Sequence, residues 1–207
     1  MASTAERPRQ DFGPMPEWDL GDLYPGRESA ELQRDLERSA DDAAAFAADY
    51  RGKVAELAGD ALAEAIGRYE VIEERLGRIM SYAGLEHAGD MSSPEIGRFY
   101  QTMQEKVTDI STNLIFFTLE LNRMADDDMA AKLDASPALA RYAPWIRDTR
   151  AFRPHQLSDE MEQLLHEKQV TGRSAWMRLF GETMAGLSFA AAGEALVAEG
   201  ALQRLPG

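Results

Sequence analysis

The stretch SSPEIGRFYQTMQEKVTDISTNLIFFTLELNRM, residues 92–124, decides the architecture. Ile96, Phe99, Met103, Val107, Ile110, Leu114, Phe117, Leu121 and Met124 recur every three or four residues. That period lays one apolar stripe along an α-helix. Ahead of it, Ser92 and Ser93 offer N-cap hydroxyls, Pro94 suits a first helical turn, and Glu95 can close a capping box with Ser92. The spacing predicts one helix of about 30 residues, roughly 45 Å long at 1.5 Å per residue. Asp126-Asp127-Asp128 ends the stripe.

Two more helices are legible upstream. From Glu28, Leu32, Leu36, Ala40, Ala43, Phe46 and Tyr50 form a stripe among charged residues, and Gly52 is placed to end it with a positive-φ cap. From about Asp60 to about His87, the stripe is Leu62, Ala65, Tyr69, Ile72, Leu76, Ile79 and Ala83, with Gly84 and Gly89 at a fraying end. Three long amphipathic helices with short connections predict an antiparallel bundle.

Downstream the elements shorten. Ser136-Pro137, Pro144 and Pro154 divide residues 129–155 into short helices or turns. Ser158 can cap a helix reaching about Val170, stopped by Gly172, and a last helix carries Trp176, Leu179, Phe180, Met184 and Leu187. After Ser188 the pattern changes to a weak strand–turn–strand around Phe189, Gly193, Leu196 and Val197. The fold class is therefore all-α, with a small C-terminal β-hairpin. Residues 1–25 read as an extended leader rich in proline, its end pinned by Trp18, Leu20, Leu23 and Tyr24. Residues 26–187 read as the helical domain.

Composition narrows the function. The chain has 207 residues, is 44% hydrophobic and 28% charged, and carries a formal net charge of −14. That balance supports a packed core. It disfavours nucleic acid and anionic membrane surfaces, both of which call for a cationic face. With no cysteine, disulfides, thiol catalysis and Cys-ligated zinc are excluded. No apolar segment reads as a secretory signal or a membrane span, so a soluble protein of the cytoplasm is expected.

The residues themselves assemble no recognisable catalytic centre, and no catalytic, metal or substrate-binding residue is assigned. The three histidines are His87, His155 and His166. His166-Glu167 begins a His-Glu-x-x-His zinc signature, but the second ligand position is Val170. An exposed histidine on an acidic helix is the expected reading. A di-iron bundle needs Glu-x-x-His, yet Gly84, Phe152 and Gln163 stand three residues before the histidines. His155 is expected to tie its loop to a neighbouring helix, and Trp18, Trp145 and Trp176 to pack in the core. Phosphate-loop and nucleophile-elbow glycine motifs are absent.

Five segments in order nevertheless resemble a known family. WDLGDLYP (18–25), LERSADDAAAFAADYRGKV (36–54), YEVIEERLGRIMSYAGL (69–85), NLIFFTLELNRM (113–124) and RPHQLSDEMEQLLHEKQVTGRSAWMRLFGETMAGLSF (153–189) are similar to the N-terminal region of oligoendopeptidase F. That enzyme is a branch of the M3 zinc metallopeptidases. The resemblance implies a longer parent, with an N-terminal helical region facing a catalytic region across a substrate channel. The parent would hydrolyse short peptides with a zinc-bound water held by His-Glu-x-x-His and a glutamate. None of those ligands maps onto this chain, which is expected to be the inactive, zinc-free channel wall. Residues 188–207 are then the truncated start of the catalytic region. Expected partners are that catalytic region and short peptides, with self-association of the isolated chain. The alternative is a stand-alone acidic helical-bundle interaction module, and the mass of the native product distinguishes the two.

Overall fold

The computed structural model describes residues 18–191 and 194–197; the extended leader expected over residues 1–25 lies mostly outside them, in residues 1–17, and residues 192–193 and 198–207 lie outside them as well. Three long helices form the body: α1 (Ala30–Tyr50), α2 (Gly59–Gly89) and α3 (Pro94–Thr112). Six shorter ones follow: α4 (Ile115–Arg123), α5 (Asp126–Ala135), α6 (Pro137–Ala140), α7 (Ala143–Arg150), α8 (Asp159–Thr171) and α9 (Arg173–Gly186). Strands β1 (Ser188–Ala191) and β2 (Glu194–Val197) pair antiparallel, with Ser188 opposite Val197. Among the described residues the fold is all-α apart from that hairpin. Among the described residues no helix is long and apolar enough to cross a membrane.

Local chemistry explains the helix ends. The Ser29 hydroxyl accepts from the Leu32 N–H to start α1, and Gly52, at φ +78°, turns the chain beyond its end. At α3 the capping residue is Ser93, whose hydroxyl accepts from the Ile96 N–H. The expected Ser92–Glu95 box does not form, because Ser92 donates to the Asp90 carboxylate at 2.6 Å instead. That contact holds the Asp90 carboxyl below the usual carboxylate range. Ser158 caps α8 as expected.

A ladder of ion pairs shows that α1 and α2 run antiparallel: Asp35 meets Arg78 (3.8 Å), Asp42 meets Arg75 (2.9 Å) and Asp49 meets Arg68 (2.9 Å). The outer two pairs, at least partly exposed, add little stability, below about 1 kcal/mol each, whereas the Arg75 side chain, 10% exposed, is largely shielded. The apolar stripe between them contributes most. One residue of the expected stripe is corrected: Ser39 is fully buried and Ala40 exposed, the Ser39 hydroxyl accepting from Arg75 at 3.4 Å.

The predicted single helix over 92–124 is two. Asn113 and Leu114 interrupt it, with tight i→i−3 bonds from Asn113 N–H to Ile110 O and from Leu114 N–H to Ser111 O. Ser111 and Thr112 both donate their hydroxyls back to the Thr108 carbonyl, a contact that bends helices. The break rotates α4 so that neighbours Phe116 and Phe117 are both buried. Phe117 then stands edge-on to Phe46 at 5.0 Å and 5.2 Å from Tyr69. The three aspartates Asp126–Asp128, expected only to end a stripe, also open α5, where negative charge suits the helix dipole.

The start of α2 packs against the α5–α6 joint. A Cβ on Gly59 would lie 2.7 Å from the Lys132 carbonyl oxygen, so only glycine permits this approach. Tyr24 is fully buried, edge-on to Tyr82 and donating to Asp35 at 2.7 Å. Leu20 and Leu23 pack on the core, whereas Trp18, expected to help pin this segment, is 87% exposed.

Candidate functional site

Helix α8 lies across α3 and α4, and together with α2 they line a groove of about 640 Å³. Its apolar walls include Leu76 and Met80 of α2, Leu114, Ile115 and Leu165. Its polar groups are Glu73, Ser111, Thr118, Glu162, His166 and Gln169.

His166 is half-buried here, not exposed as expected: its Nε2 lies 2.8 Å from the Ser111 hydroxyl. The expectation fails because Ser111 lies 55 residues away in sequence, beyond any local pattern. A serine–histidine contact can serve acyl transfer, but only with free donors for the developing oxyanion. Ser111 sits within α3, where neighbouring backbone N–H groups are already engaged in helix bonds. The contact therefore reads as a tie between α3 and α8.

Across the groove, loss of water around its carboxyl pushes Glu73 up, opposed by a hydrogen bond with Tyr69. Burial raises the Tyr69 phenol, and the nearby Glu73 charge adds to this. Glu162 is occupied at the mouth, its carboxylate accepting the Leu157 N–H at 2.8 Å.

The remaining histidines are dispersed. His87 is buried near the end of α2, stacked on Tyr100 with ring centroids 4.8 Å apart. His155 is exposed in a 3₁₀ turn (Arg153–His155) and is not the loop's tie. Its neighbours hold the loop: Arg153 pairs with Asp126 at 3.0 Å, and the Gln156 side chain donates to the Leu119 carbonyl at 3.2 Å. Polar reach favours these longer, more adaptable side chains. Among the described residues, no group of three or more His, Asp or Glu side chains could hold a metal ion. Zinc, which the family resemblance implies for the longer parent, does not fit the residues described here.

The second feature is an apolar face on the α8–α9 pair. Neither helix contains a buried residue. Met161, Leu164 and Leu165 are exposed on α8, and Trp176 (71%), Phe180 (67%) and Met177 on α9. Trp176 was expected in the core; of the three tryptophans only Trp145 packs there, 5.9 Å from Tyr69. Helical spacing aligns residues on one face but does not supply the surface that covers it. Large apolar side chains exposed in such number on two adjacent helices point to an interaction site.

A family model described as Oligopeptidase F matches this chain in the same region, over residues 120–189, from within α4 through α9 to β1. Oligopeptidase PepF of Bacillus subtilis (strain 168) is 29% identical over 165 residues, covering 76% of this chain. The chain resembles the N-terminal part of oligopeptidase F. The crystal structure of oligoendopeptidase-F from Enterococcus faecium superposes with a TM-score of 0.65 at 19% identity, covering 81% of this chain, and so shares its fold. The match spans only 23% of the length of PepF and 33% of the Enterococcus chain. The oligopeptidase F match thus encloses the whole of the exposed α8–α9 face.

Proposed function

We propose that this chain is the N-terminal helical domain of an oligoendopeptidase F-like zinc metallopeptidase that hydrolyses short peptides, with the bundle forming one wall of the substrate channel. One observation carries the reading: the stretch that matches the oligopeptidase F model takes in the whole α8–α9 pair, whose apolar side chains lack a covering surface. Residues 26–187 are the domain proper, and β1–β2 lead into the catalytic region. Trp176, Phe180 and Leu164 pack against that region in the parent, and zinc is held entirely outside this chain. The parent works in the cytoplasm.

A channel wall needs rigidity more than chemistry. Long helices pinned by the Phe46, Tyr69 and Phe117 cluster supply it, and a narrow channel admits extended peptides while excluding folded ones. The decisive experiment assays quenched fluorescent peptides with the 207-residue chain and with the longer product of its reading frame. Chelator-sensitive cleavage is expected from the longer product only. Chelator-sensitive cleavage by the 207-residue chain alone, or a native product no longer than this chain, overturns the proposal.

A further inference from the structure

Helix α9 meets the end of α2 through one polar contact. The His87 Nε2, near the end of α2, is buried and has no hydrogen-bond partner among the described residues. The Glu182 Oε1 of α9 faces it from 3.6 Å, just beyond hydrogen-bond reach for neutral groups. Glu182 also lies over Gly97 of α3, where a Cβ would approach its Oε1 to 3.1 Å. Its carboxylate is shared with Arg178, one turn earlier on α9, at 3.6 Å. On the other side, the Tyr100 ring of α3 stacks on the imidazole with an interplanar angle of 13°. On α2 itself, Glu86 is turned toward Arg27, 3.8 Å away.

A buried ring nitrogen without a partner is rare and calls for a reason. We propose that His87 and Glu182 form a proton-operated latch, closed when the imidazole is charged, that fixes α9 against the ends of α2 and α3. Protonation gives His87 two donors, and Nε2–H then faces a carboxylate at 3.6 Å, less than about 1 Å beyond a charge-assisted bond. The last turn of a helix favours a cation, and the Tyr100 face supports one. Arg178 competes for the same carboxylate and weakens the latch without removing it. Among the described residues α9 buries no side chain fully, and its other close approach is Gly181 against the Met91 sulfur, so the His87–Glu182 contact is its main polar tie to α2. Loss of the His87 proton releases α9 and the apolar face it carries.

The absence of cysteine makes the test clean. Spin labels on cysteines introduced at exposed Leu85 of α2 and exposed Ala185 of α9 report the distance between the helices. In the parent chain, the distance distribution is expected to be narrow at about pH 5.5 and about twofold broader at about pH 8. Glu182→Gln and His87→Gln are expected to stay broad at both. Arg178→Gln is expected to keep the response, as is His166→Gln, since His166 ties α8 and not α9. Circular dichroism verifies that each variant folds. Should His87→Gln not fold, Glu182→Gln, at a position 39% exposed, decides alone. A parent distribution unaffected by pH, or a response that survives in Glu182→Gln, overturns the latch.

Discussion

Glu120 and Gly52 stand 68 residues apart in sequence, yet the Glu120 carboxylate accepts the Gly52 N–H at 2.7 Å. Its second oxygen accepts the N–H of Val54, a fully buried residue, at 3.2 Å. One side chain of α4 thus holds the turn between α1 and α2. Glu120→Ala leaves the Val54 donor unpaired and is expected to cost about 1–3 kcal/mol of stability by urea denaturation. Gln, with one carbonyl acceptor in place of two, should recover part of the loss.

Arg150 of α7 closes the end of α4. Its guanidinium donates to the Leu121 carbonyl at 2.6 Å and the Met124 carbonyl at 2.8 Å, and it pairs with Asp126. The side chain is 11% exposed, so water cannot readily replace it. Arg150→Met keeps the stem and removes the donors; unfolding free energy is expected to fall by about 2–4 kcal/mol. A loss no greater than that of an exposed variant such as Arg147→Met would contradict this role.

Asp126 faces Arg150 and Arg153, which hold its carboxyl below the usual carboxylate range, the Arg150 hydrogen bond foremost. A depressed folded value means a contribution present above the unfolded pKa of about 3.9 and lost as pH falls through the folded one. Asp126→Asn should therefore melt lower than the parent at neutral pH, with the two curves converging in strong acid. A gap that persists unchanged at low pH rules out the ionic origin.

Glu73 behaves in the opposite sense. Its carboxyl is raised by loss of water in the groove, so the folded state binds its proton more readily than the unfolded chain. Its charge opposes folding once pH exceeds the unfolded value of about 4.3. Glu73→Gln is expected to raise the melting temperature at pH 7 and leave it unchanged in acid below the carboxylate range. Equal shifts at both values would indicate a packing effect.

The α8–α9 face should be separable from the core. Trp176→Ser with Phe180→Ser alters side chains 71% and 67% exposed. The pair is expected to reduce binding of an environment-sensitive apolar dye several-fold while changing stability by no more than about 0.5 kcal/mol. A large destabilisation would show that these rings are core residues after all.

Much of the body was legible because helix starts and stops are local. Ser29, Ser158, Gly52 and Gly172 act on neighbours within four residues, and the stripes of α1 and α2 are periodic. The break at Asn113–Leu114 was hidden because the apolar period runs through it; the hydroxyls of Ser111 and Thr112 were its only sign. Ser39 was hidden because Arg75, which makes its burial tolerable, lies on another helix. The exposure of Trp18 and Trp176 was invisible for a different reason. Periodicity shows which side chains share a direction and is silent on what they meet. The groove depends on Ser111 and His166, and the latch on His87 and Glu182; both pairings arise only after the chain folds.

The joint around Arg150 has a mechanical corollary. Arg150 and Arg153 both grip Asp126, and Gln156 grips the Leu119 carbonyl, so the span from α4 to the threshold of α8 is cross-braced. Under tension applied from its two ends, such a brace resists until one member fails and the load passes at once to the others. Stretched in an optical trap, residues 119–157 should yield in a single rip. The α8–α9 pair, which buries no side chain fully and is held by the separate ties His166–Ser111, Arg123–Asp159 and His87–Glu182, should peel away first at lower force.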